Sequence, residues 1–98
     1  MEIISNGIRI AEFSILPNET GPWHFHSQVE EYCFCLKRLL FIEIEGRASM
    51  VLNPGERVRI VSGVQHRVRN GSQRACQYLV VEGVGEYDFV QVETAPPG

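Results

Sequence analysis

Lysine, cysteine and histidine are scarce in this 98-residue chain, and each shortage narrows what it can be. Lysine occurs once, at Lys37, and acidic residues outnumber basic ones 12 to 9, for a formal charge of -3. An acidic chain has no long-range attraction for nucleic acid or anionic lipid, so neither nucleic acid nor a membrane is an expected partner. Long apolar runs are missing too: the longest central one is Leu39-Leu40-Phe41-Ile42, far below the roughly 18 residues that span a bilayer. No signal-peptide pattern follows Met1-Glu2. The three cysteines, an odd number, argue against a disulfide framework and for a reducing compartment. A cytoplasmic protein is expected.

Helical periodicity is also absent. No segment of ten or more residues carries a 3.6-residue apolar stripe between caps. Instead, short runs rich in β-branched and aromatic residues alternate with Gly, Pro, Asn and Ser. Strands are expected at 8–16, 23–26, 31–36, 39–45, 48–52, 57–61, 66–69, 74–82 and 87–92. Asn70-Gly71 is the strongest hairpin dipeptide among the turns. About nine short strands must hide their edges in a sandwich or closed barrel, so an all-β fold is expected. One domain should occupy residues 1–93, with 94–98, ending Ala-Pro-Pro-Gly, as a disordered tail.

The histidines that are present sit in a pattern. His24-x-His26 is followed by Glu30-Glu31, and His66 is the third. Residues i and i+2 of a strand share a face, so His24 and His26 can aim two imidazoles at one point. Imidazole nitrogen with carboxylate oxygen suits Fe, Mn, Ni, Zn or Cu and not Ca. The plain alternative is three unrelated histidines.

These residues resemble the two motifs of the cupins. The stretch Gly21 to Glu31 is similar to the first, H-x-H, three or four residues, then Glu; Gly55, Gly63, His66 and Asn70 fall on the spacing of the second. The resemblance implies a small cupin-type β-barrel (a double-stranded β-helix, or jelly roll) with one divalent transition-metal ion inside. His24, His26, Glu31 and His66 would be the metal ligands, and Asn70 structural. Glu30 also satisfies the gap; Glu31 is preferred because the family then has a glycine at position 38. This chain has Arg38 there, and Val61 where the family has proline. The first departure demands either a straighter strand or a strained arginine.

Activities of such cupins include dioxygenases, decarboxylases, isomerases, lyases and polyketide cyclases. The expected function is a metal-dependent enzyme, dioxygenase-like above all, acting on a small oxygen-rich molecule; the alternative is a non-catalytic ligand- or metal-binding module. Glu30, Tyr32 or Tyr78 would supply any side-chain acid or base. Cys33, Cys35, Phe41, Met50 and Tyr78 are expected to line the barrel, and Cys76 to pack in it. Trp23 and Phe25 point away from the histidines and suit a homodimer contact, the assembly that relatives suggest. Gly83-Val84-Gly85 is not a nucleotide loop, since no helix follows it.

Overall fold

The computed structural model describes residues 1–93, so the expected tail at 94–98 lies outside the described residues. Ten strands and no helix occupy them: β1 (Glu2–Ser5), β2 (Ile8–Ile15), β3 (His24–Phe25), β4 (Glu30–Lys37), β5 (Leu40–Ile44), β6 (Met50–Leu52), β7 (Arg57–Ile60), β8 (His66–Arg69), β9 (Cys76–Gly83) and β10 (Val90–Gln91). They form two antiparallel five-stranded sheets, in the orders β1-β2-β9-β4-β7 and β10-β3-β8-β5-β6. The fold is all-β, as expected. No helix is long and apolar enough to cross a membrane.

Alternation builds the interior. Leu40, Ile42 and Ile44 on β5 turn inward, and so do Cys33 and Cys35 on β4, Val58 and Ile60 on β7, and Val80 on β9. Each buried side chain of this size contributes roughly 1.5–3 kcal/mol of hydrophobic stabilisation. Phe41 departs from expectation: it lies on the outer face of β5, beneath the guanidinium of Arg69 at 4.8 Å. Its even-numbered neighbours own the core face, and the period of two leaves it outside.

Turn chemistry explains two further differences. The Asn-Gly hairpin exists, but at Asn6-Gly7, where φ values of 53° and 77° join the unforeseen β1 to β2. Asn70-Gly71 makes no hairpin, because β8 and β9 belong to different sheets. The Asn70 side chain is buried there instead. Its amide donates to the carbonyls of Ile15 (3.1 Å) and Arg74 (2.6 Å), and its oxygen accepts from Ser72 N (3.0 Å). Asn70 is the structural pin the motif implied.

Arg38 is the strained residue, not the start of a straighter strand: its φ is 70°, beside a β-bulge between Cys35 and Lys37. Its exposed side chain costs nothing in packing, so the turn keeps its course without glycine. Val61 is exposed and Gly63, at φ 82°, carries the second turn alone.

Candidate metal centre

One row of each sheet meets across the barrel. In the first sheet Arg9, Glu82 and Glu31 lie opposite one another on β2, β9 and β4. In the second, His24 on β3 is the direct partner of His66 on β8, and His26 follows just beyond β3. All three histidines, Glu31 and Glu82 are buried.

Each imidazole is oriented by the backbone. Nδ1 lies 3.0 Å from the Pro22 carbonyl in His24, 2.6 Å from that of Asp88 in His26, and 2.9 Å from that of Val64 in His66. A carbonyl only accepts, so each Nδ1 carries the proton and each Nε2 presents a lone pair. The three rings offer ligand atoms within 4.8 Å of one another. Phe89 stacks on His24, with centroids 4.1 Å apart.

The carboxylates close the other side. Glu31 Oε1 is 3.2 Å from His26 Nε2, its Oε2 is 3.2 Å from His66 Nε2, and Oε2 accepts from the Cys33 thiol at 3.2 Å. The Nε2 atoms of His26 and His66 are buried without a hydrogen-bond partner. Nitrogen lone pairs and carboxylate oxygens held this close, away from water, repel unless a cation lies among them. A proton or a metal ion satisfies them. Three imidazole nitrogens and a carboxylate suit a first-row transition metal, so this group is able to hold one.

The electrostatics agree. Burial lowers His24 to about 4, against the pull of the Pro22 carbonyl, so it is a neutral imidazole throughout the physiological range. Burial also works against the charge on Glu31, but His26 and His66 outweigh it and hold that carboxyl well below its usual value. For His26, burial is overcome by Glu31 and the Asp88 carbonyl, and its value rises. Burial pushes Cys76 up to about 12, consistent with a packing thiol and no nucleophile.

Sequence reasoning missed Glu82. Its Oε2 stands 3.0 Å from His26 Nε2 and has no hydrogen-bond partner, while Arg9 Nη1 contacts its Oε1 at 2.5 Å. Burial and the facing Glu31 push it up to about 8. The available signal was a lone acid closing the apolar run Leu79-Val80-Val81. Of the acid-base candidates, Glu30 and Tyr32 are on the outer face, with Glu30 paired to Arg59 at 2.6 Å, and only Tyr78 faces the interior. A cavity of about 410 Å³ opens over the cluster. Cys33 and Tyr78 line it as expected, and Phe13, Val68, Tyr87 and Phe89 complete its apolar wall. Cys35 and Met50 pack in the core below.

Fold and site together define a small two-sheet β-barrel with a buried three-histidine, carboxylate cluster. The family described as Cupin domain matches residues 11–89, and the chain belongs to it. Three solved structures show the likeness. Oxalate oxidase is 25% identical with a TM-score of 0.80, over 88% of this chain and 46% of that one. The DMSP lyase DddQ from Ruegeria pomeroyi DSS-3 is 27% identical with a TM-score of 0.77, over 89% and 44%. The polyketide cyclase RemF from Streptomyces resistomycificus is 26% identical with a TM-score of 0.76, over 93% and 64%. The chain thus spans about half the length of the first two. A search of curated proteins finds no match.

Proposed function

We propose that this cupin is a metal-dependent enzyme acting on a small oxygen-rich molecule, with His24, His26, Glu31 and His66 as the metal ligands. One observation carries the reading: three backbone-oriented imidazoles and a buried carboxylate turn their free electron pairs toward one another beneath a cavity of substrate size. A divalent ion held there would supply Lewis acidity or, if redox-active, electron transfer to dioxygen.

The chain's own residues set what enters. The aromatic rings of Phe13, Tyr78, Tyr87 and Phe89 exclude water and favour a flat or compact substrate. Arg9 is the cation of the cavity wall, lying 4.1 Å over the Tyr87 ring with Glu2 and Glu82 on its nitrogens, so it is braced from three sides. Glu82 is the acid that reaches the cavity beside Glu31, whereas Glu30 and Tyr32 lie on the outer face. Oxygen-rich acids of the kind named with oxalate oxidase, oxalate and glycolate, head the substrate panel.

The test is metal analysis of the purified chain, followed by oxygen uptake and product detection with oxalate, glycolate, diketones, catechols and thiols. Stoichiometric metal with metal-dependent turnover is expected. A metal-loaded chain that binds members of the panel without converting any of them would favour the non-catalytic module.

A further inference from the structure

We propose that Glu82 is a fifth metal donor, so that the ion is held by three imidazoles and two carboxylates. The inference rests on the metal reading above and deepens it. Glu82 is the cross-strand partner of Glu31, and two facing buried carboxyl groups repel unless a proton or a cation lies between them. Its Oε2, buried and without a hydrogen-bond partner, is aimed at the same His26 Nε2 that Glu31 approaches. The ligand atoms of His26, Glu31 and Glu82 all lie within 4.8 Å of one another. Its other oxygen is fixed by Arg9, which makes Arg9 a positioning residue.

Two carboxylates balance a divalent charge and shift preference toward oxygen-loving ions such as Mn and Fe. A six-coordinate ion with five protein donors keeps one place, so the substrate would present a single oxygen to it rather than a chelating pair.

The experiment is Mn²⁺ titration of the metal-free full chain, with X-ray absorption of the loaded forms. Glu82→Gln, which keeps the shape and the contact with Arg9, should weaken Mn²⁺ roughly 10- to 100-fold and change the ligand-shell spectrum. Arg9→Gln should weaken it less and leave the donor count unchanged. Wild-type affinity and an unchanged spectrum in a folded Glu82→Gln chain would overturn the fifth donor while leaving the four-ligand site standing. Failure of the wild type itself to bind would remove the metal reading, a distinguishable result.

Discussion

Phe89 lies flat on His24, with ring planes 14° apart, and holds against the cluster the one imidazole that neither carboxylate approaches closely. Phe89 is 45% exposed at the cavity wall, so its removal costs little in folding. Phe89→Ala should admit water to His24, raise its midpoint from about 4 toward the ordinary 6.5, and weaken metal binding about tenfold. Histidine titration by NMR on the metal-free chain reads the first effect, and metal competition the second.

Without metal, the cluster imposes its own pH profile. His24 is lowered below its unfolded value of 6.5, so its contribution to stability is complete above pH 6.5 and is lost as pH falls toward 4. Glu82, raised from 4.5 to about 8, runs the other way: the folded chain keeps a proton that the unfolded chain has released. Its contribution is full below pH 4.5 and is lost as pH rises through about 8, and His26, raised above 6.5, acts in the same sense. Between pH 6.5 and about 8 the Tm of metal-free protein should therefore fall. Metal-loaded protein, with an ion in place of the protons, should not fall over that window. Paired calorimetric scans check the difference.

Asn70 joins the β2 end, the loop after β8 and the approach to β9 through four buried or half-buried hydrogen bonds. Asn70→Ala should cost about 1–3 kcal/mol by removing the donor to the buried Ile15 carbonyl, while the Arg74 carbonyl keeps the Ser72 hydroxyl at 3.0 Å. Chemical denaturation measures this, and metal stoichiometry in the folded fraction should stay at the wild-type value.

Arg38→Gly should do the reverse. Relieving a left-handed φ of 70° is worth about 1 kcal/mol, or about 4–8 °C in Tm for a chain of this length. Thermal melts of the two proteins check it.

Strand alternation made the all-β fold and the His24-His26 clip legible before any coordinates, while His66 and Glu31 joined them through the resemblance to the cupin motifs. The clip depends on local spacing alone, since residues i and i+2 of a strand share a face; on the same alternation Glu31 and the buried Cys33 share a face of β4. What escaped depends on register. That Glu82 faces Glu31, and Arg9 faces Glu82, follows from how β2, β9 and β4 slide into pairing, which no single segment encodes. β1 was missed because Asn6-Gly7 forms its hairpin without a strong alternating run ahead of it. Phe41 was misplaced because a one-residue choice of phase sends every side chain of a strand to the other face.

The most direct test is anomalous scattering at the metal edge from crystals of the loaded chain. The account predicts one peak per chain about 2 Å from the Nε2 atoms of His24, His26 and His66, with Glu31 beside it, and loss of that peak in His66→Ala. A peak elsewhere, or one that persists at full strength in His66→Ala, would contradict it.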